Sequence, residues 1–249
     1  MTLDLSSSTA LVTGGARGIG LELSKQLVTL GCKVVAVGRN TQDLESLQAL
    51  GPDAITTMSA DLSSQGEVDA LVVRLAEKHP EVNIVINNAG VQFEMDLFAG
   101  ETMQATSQAR REIAVNLDAL VTLTVGLLPV IERHNHAAVV NISSGLALAP
   151  KAASPVYCAT KAAVRSFTKA LRYQCVEHAP HIQVSEVIMG LVDTDMTVGR
   201  GSGKISPRQA AEKVILGMQK QRQEIWIGRA NMLRLVNSIS PRLAERIMR

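Results

Sequence analysis

The strongest constraint on how this chain can fold is an alternation that runs almost from end to end. Residues 9–13, a short apolar run, and 33–38, 54–59, 82–87, 138–143, 182–189 and 224–228 read as strands. Between them, 19–30, 41–50, 64–79, 106–132, 155–177 and 207–219 have helical spacing. In the first of these, Ile19, Leu23, Leu27 and Leu30 recur on one face. Asn40 or Thr41 is placed to cap the second helix and Ser206 the last, while Pro155 suits a first helical turn. Continuous apolar runs, without strict in–out alternation, belong to strands covered on both faces. Repeated strand–helix–strand units therefore predict an α/β fold: a doubly wound, roughly seven-stranded parallel sheet between helix layers. No linker or low-complexity tract interrupts the pattern, so a single domain over 1–249 is expected, with 229–249 as an amphipathic helical extension.

Composition narrows the function classes. Aromatic residues are 2% of the chain against 46% hydrophobic, so the core is aliphatic. A formal charge of +2 gives no electrostatic case for nucleic acid. Cys32, Cys158 and Cys175 form neither a CxxC nor a zinc pattern, and the five histidines lack HxxxH spacing, so no metal site is expected. The apolar stretch 119–131 is too short to span a bilayer and reads as part of a buried helix. No signal peptide opens the chain, and a reduced cytoplasmic protein is the expectation.

After the first strand stands TGGARGIG at 13–20. Glycines at Gly14, Gly18 and Gly20 let the backbone approach a pyrophosphate, and the helix opening at Ile19 offers it free N–H groups. An NAD site usually carries a carboxylate at the end of strand two. Here that strand ends Gly38-Arg39, and Arg39 with Arg17 would meet a 2′-phosphate. Asp43, the nearest acid, reads as a helix-capping residue. The expected cofactor is NADP(H), and Arg39→Asp is expected to swing preference toward NAD(H).

Tyr157 and Lys161 lie four apart on one helix, hence on one face. A neighbouring ammonium favours the phenolate and lowers the phenol's pKa toward working pH. The tyrosine can then exchange a proton with an alkoxide or alcohol. A serine at the end of strand five, Ser143 or Ser144, is placed to bind the same substrate oxygen.

These motifs in this order (TGGARGIG at 13–20, Asp61-Leu62, NNAG at 87–90, Asn116, Ser144, Tyr157 and Lys161) resemble the short-chain dehydrogenase/reductase family from about residue 5 to 228. The resemblance implies that Tyr157 is the catalytic acid/base and that Lys161 lowers its pKa and binds the nicotinamide ribose. Ser144, thirteen before the tyrosine, matches the catalytic serine, and Asn116 completes a proton relay through a water. Asp61 and Leu62 would lie along the adenine, and Asn88, Ala89 and Gly90 along the cofactor groove. The nicotinamide-contacting segment, usually PGxVxT, reads Met189-Gly190-Leu191-Val192-Asp193-Thr194; Met189 stands in place of proline, while Gly190, Val192 and Thr194 match. The resemblance also implies a homodimer or homotetramer paired through its long helices. The tail is similar to a subgroup associated with D-alanylation of teichoic acids, which supplies no substrate.

An apolar pocket of Leu146, Ala147, Phe93, Met95, Met189, Val192 and Met196 is expected around a hydrophobic carbonyl or alcohol substrate. Gly199, Gly201 and Gly203 within 195–206 suit a closing lid or an exposed loop. Met232, Leu235, Val236, Ile239, Leu243 and Ile247, with Arg229, Arg234, Arg242, Arg246 and Arg249, make a basic amphipathic end broken at Ser240-Pro241. That end packs on the domain or another subunit, or lies peripherally on an anionic membrane. Reversible hydride transfer is the leading reading; a redox-neutral epimerase or dehydratase, or a non-catalytic NADP-binding regulator, are the alternatives.

Overall fold

The computed structural model describes residues 3–248; Arg249 and the side chain of Ile247 in the basic amphipathic end lie outside what is described. Strands β1 (Thr9–Thr13) and β2 (Lys33–Gly38) flank helix α1 (Gly18–Thr29), and α2 (Thr41–Gln48) leads to β3 (Ile55–Ser59). Helix α3 (Gln65–Lys78) precedes β4 (Ile84–Asn87), and α4 (Thr102–Ile113) continues through a π-type segment, Ala114–Asp118, into α5 (Ala119–Ile131). Then come β5 (Ala137–Ser144), α6 (Pro155–His178), β6 (Ile182–Met189), α7 (Pro207–Gln219), β7 (Glu224–Ile227), α8 (Ala230–Ile239) and α9 (Pro241–Met248). All strands pair in parallel in the order β3-β2-β1-β4-β5-β6-β7.

Alternate side chains of each buried strand feed two separate cores. Ala10 and Val12 of β1, Ile84 and Ile86 of β4, and Val140 of β5 pack in one layer with Leu23 and Leu27 of α1 and Val214 of α7. Leu11, Val85 and Val139 pack in the other with Leu71 of α3, Leu123 of α5 and Leu171 of α6. The central strands are covered on both faces, as suits a parallel sheet. Asn40, not Thr41, caps α2 by accepting from the N–H groups of Gln42 and Asp43, and Ser206 with Gln209 forms a capping box on α7.

The long helix starts at residue 102, four before the expected 106, and its π-type segment is a further departure. Together, Thr102–Ile131 are long and apolar enough to cross a membrane by length and composition. Leu123, Leu127 and Ile131 on their apolar face are instead buried in the core layer against the sheet.

Candidate active site

Because the strands are parallel, their C-terminal ends share one edge. Strand order reverses between β1 and β4, and the loops after these two strands face each other across a crevice. Thr13, which the sequence reading did not single out, joins them. Its hydroxyl accepts from the N–H groups of Asn88 and Ala89, each at 3.0 Å, and Asn88 Nδ2 donates to its carbonyl at 2.9 Å. The glycine turn is shaped by close approach: a Cβ on Gly20 would lie 2.0 Å from the Gly14 carbonyl oxygen, and Gly14 itself has φ +64°. No L side chain fits that arrangement without moving backbone.

A cavity of about 370 Å³ runs along this crevice, lined by Gly14, Arg17, Gly18, Ile19, Arg39, Asp61, Leu62, Asn88, Ala89, Gly90 and Thr194. Burial by itself would raise the Asp61 carboxyl. Hydrogen bonds from the Ser63 N–H and hydroxyl, with the charges of Arg39 and Arg111, outweigh it and hold the carboxyl below its ordinary value. Asp43 is not the cap expected from its position. Its carboxylate accepts from Arg17 Nε and lines the same cavity, so a carboxylate does stand beside one of the two cations expected to meet a 2′-phosphate.

A second cavity, about 550 Å³, opens beside it and shares Ile19, Asn88, Gly90 and Thr194. Its floor holds Ser144, Tyr157 and Lys161. Ser144 hydrogen-bonds the Tyr157 phenol and accepts from the Leu146 N–H at 3.1 Å. Ser143, by contrast, donates to Glu186 at 2.5 Å. Lys161 Nζ donates to the Ile142 carbonyl at 2.8 Å and lies 5.7 Å from the centre of the Tyr157 ring. Burial dominates the electrostatics: it pushes Tyr157 up to about 12, against the downward pull of Ser144, and Lys161 down to about 8. Burial is the leading cause of both shifts.

Asn116 lies in the π-type segment, the kind of irregularity that recurs at functional sites. Its Oδ1 accepts from the Val91 N–H at 2.8 Å, and its Nδ2 donates to the Val91 carbonyl at 2.9 Å and to Thr160 at 3.2 Å. Both ends of the side-chain amide are thus engaged by protein groups. One turn earlier, Glu112 is completely buried. It accepts from the Phe93 N–H at 2.6 Å, and burial pushes its carboxyl up.

The expected pocket is corrected in part. Leu146, Met189, Val192 and Met196 line the second cavity; Ala147, Phe93 and Met95 do not. Their places are taken by Gln92, Leu191 and three residues of α8: Met232, Leu233 and Val236. Leu233 reaches Gly145, where a Cβ would stand 3.0 Å from its Cδ2. The basic amphipathic end therefore supplies a wall of the site, a role the sequence reading did not assign. The pocket is also not purely apolar. Lys151, Arg200, Ser202 and Arg229 line it as well. Residues 199–203 turn through positive φ at Gly199, Gly201 and Gly203. The ends of this loop are tied by pairing of Val192 with Ile205 and by Lys204, which donates to the Thr197 carbonyl at 2.6 Å. Gly190 donates to the Ile227 carbonyl at 3.0 Å, which fixes the wall where Met189 replaces the family's proline. Among the described residues, no group of three His, Cys, Asp or Glu is placed to hold a metal ion.

The short chain dehydrogenase family matches residues 8–204. An uncharacterized oxidoreductase DltE of Bacillus subtilis (strain 168) is 34% identical over 239 residues, covering 93% of this chain and 92% of that one. A short chain dehydrogenase from Burkholderia cenocepacia J2315, solved in complex with NADP, superimposes with a TM-score of 0.86 at 24% identity, covering 99% of both chains. A short-chain dehydrogenase from Sphingobium yanoikuyae, solved with NADPH, gives 0.78 at 24% identity over 96% of each.

Proposed function

The chain belongs to the short-chain dehydrogenase family, and from that footing we propose that it is an NADP(H)-dependent oxidoreductase acting on a carbonyl/alcohol pair. One observation carries the reading: Ser144, Tyr157 and Lys161 meet on the floor of a cavity that opens directly onto the glycine-lined crevice.

The crevice fits a dinucleotide. The backbone around Gly14 and Gly20 leaves no room for side chains, the N-terminus of α1 would meet a pyrophosphate, and Arg39, which lines the cavity, would meet a 2′-phosphate. Asp61 and Leu62 would flank the adenine, Asn88, Ala89 and Gly90 the groove, and Met189, Gly190, Val192 and Thr194 the nicotinamide. Bound there, NADPH supplies a hydride to a carbonyl carbon, and NADP⁺ accepts one from an alcohol.

The protein's own groups manage the oxygen. Ser144 orients it by hydrogen bonding, and Tyr157 gives it a proton in reduction or takes one in oxidation. With its phenol pushed up to about 12, Tyr157 is poised as the acid at neutral pH. Lys161, held by the Ile142 carbonyl, would bind the nicotinamide ribose and favour the phenolate when oxidation demands it. Asn116 fixes the Val91 backbone beside the groove. The three buried free cysteines suit a reduced cytoplasm. Exposed Val125, Tyr173 and Val176 on α5 and α6 suit pairing into a homo-oligomer.

Following NADPH and NADH at 340 nm against aldehydes and ketones tests the proposal. NADPH is expected to be consumed in preference to NADH, with turnover lost by roughly 10²–10⁴-fold in Tyr157→Phe while NADPH still binds. Equal turnover by Tyr157→Phe, or no binding of either nucleotide, would sink it.

A further inference from the structure

The cavity above Tyr157 has one lopsided property. Among its lining residues there is no aspartate or glutamate, yet Lys151, Arg200 and Arg229 all reach it in addition to Lys161. An aliphatic stretch of the wall is formed by Leu146, Leu191, Met232, Leu233 and Val236. A neutral apolar substrate has no use for these cations, and desolvating them against it would cost affinity.

The two arginines approach from opposite sides of one loop. Arg200 begins the 200–203 turn, and the Arg229 guanidinium lies against Gly203, where a Cβ would stand 2.4 Å from its Nη2. Arg200 is about three-quarters buried, and its Nη1 is buried with no hydrogen-bond partner. A desolvated, unpaired guanidinium N–H is costly unless something accepts from it. Glu94 answers only part of this charge. Its Oε1 lies 3.5 Å from Arg200 Nε and 2.7 Å from Lys151 Nζ, and Glu94 does not line the cavity.

Resting on the oxidoreductase reading, we propose that the substrate is amphipathic: an aliphatic carbonyl or alcohol bearing an anionic group, which Arg200 and Arg229 bind while α8 covers the aliphatic part. A carboxylate and a phosphate ester share the chemistry that this pair recognises, and the choice between them is left to the measurement.

The test reads binding apart from turnover. Octanoate, octyl phosphate, octanol and octylamine are titrated calorimetrically into the NADP⁺-loaded protein. At least one anion is expected to bind about tenfold or more tightly than octanol, the effect of one charge-assisted hydrogen bond, and octylamine is expected to bind more weakly than both. Whichever of octanoate and octyl phosphate binds more tightly names the anion. Arg200→Gln and the exposed Arg229→Gln should each shrink the anion-to-alcohol ratio, with the Kd for NADP⁺ unchanged. Glu94→Gln should enlarge it by releasing Lys151 and Arg200, a gain that a purely structural role would not produce. Equal binding of anions and octanol, or arginine variants that weaken only NADP⁺, would overturn the anion site while leaving the reductase reading standing. Anion preference without turnover of any carbonyl would support the site and count against the reductase.

Discussion

Asn116 and Val91 hold each other through two hydrogen bonds, side-chain amide to backbone, one in each direction. The pair ties the irregular turn before α5 to the loop that leaves β4, and Gly90 sits directly beneath it. Replacing Asn116 with Ala leaves both Val91 groups without these partners, at about 1–3 kcal/mol for each buried group left unpaired. Asn116→Ala is expected to lower stability by that order in urea and to depress kcat more than the KM for NADPH. An unchanged urea midpoint would mean that water replaces the amide.

Asp43 restrains Arg17 and puts negative charge into the cavity where a 2′-phosphate would sit. Asp43→Asn removes both effects. Tighter NADPH binding with little change for NADH is the expected result in a fluorescence titration, with the gain fading as salt is raised. If both nucleotides tighten equally, Asp43 acts on helix α2 and not on the phosphate.

Lys161 carries a pH signature. Burial lowers its pKa to about 8 in the folded protein, against 10.5 ordinarily. Below pH 8 the ammonium is charged in both folded and unfolded states, and its burial weakens the fold in full. Between pH 8 and 10.5 the folded state sheds its proton first, so this contribution to stability rises with pH. Lys161→Met removes the titration. Its stability advantage over the parent chain should shrink by about 3 kcal/mol from pH 8 to pH 10.5. Parallel stability curves would refute the lowered value.

Tyr157 gives a kinetic counterpart. With the phenol pushed up to about 12, reduction draws on the protonated form and is expected to be flat from pH 6 to 9. Oxidation draws on phenolate and should climb with pH over the same range. A pH-independent oxidation rate would move the base elsewhere.

Leu233 tests the wall contributed by α8. It is buried against Gly145 and Ala149 beside Ser144. Leu233→Ala is expected to raise the substrate KM several-fold without shifting the Kd of NADPH. A matching loss of NADPH affinity would show that α8 braces the whole site.

The sheet was legible because its strands are bounded chemically. Lys33–Gly38 is an apolar run closed by glycine, Ile182–Met189 is rich in Ile and Val and ends before Gly190, and the structure reproduces both spans. Residues 13–20 were legible for a similar reason, since a turn packed this tightly tolerates few residues but glycine. The start of α4 was not. Residues 102–105 carry no apolar period, Met103 is exposed, and the helix buries only Glu112 among its side chains. A π-type turn has no composition of its own, so Asn116 could be named but its bonds to Val91 could not. Pairings between distant charges were equally silent, which is why Asp43 read as a cap and Arg200 was passed over. The amphipathic stripe of α8 was plain, but a stripe does not say which surface receives it.

The family match ends at residue 204, while Leu233 and Val236 close the cavity from beyond it. The residues proposed to handle the proton and grip the nucleotide thus lie within 8–204, and α8 adds part of the cavity lining from beyond it. An exchange confined to the last two helices would redraw what the protein accepts and leave the reaction intact.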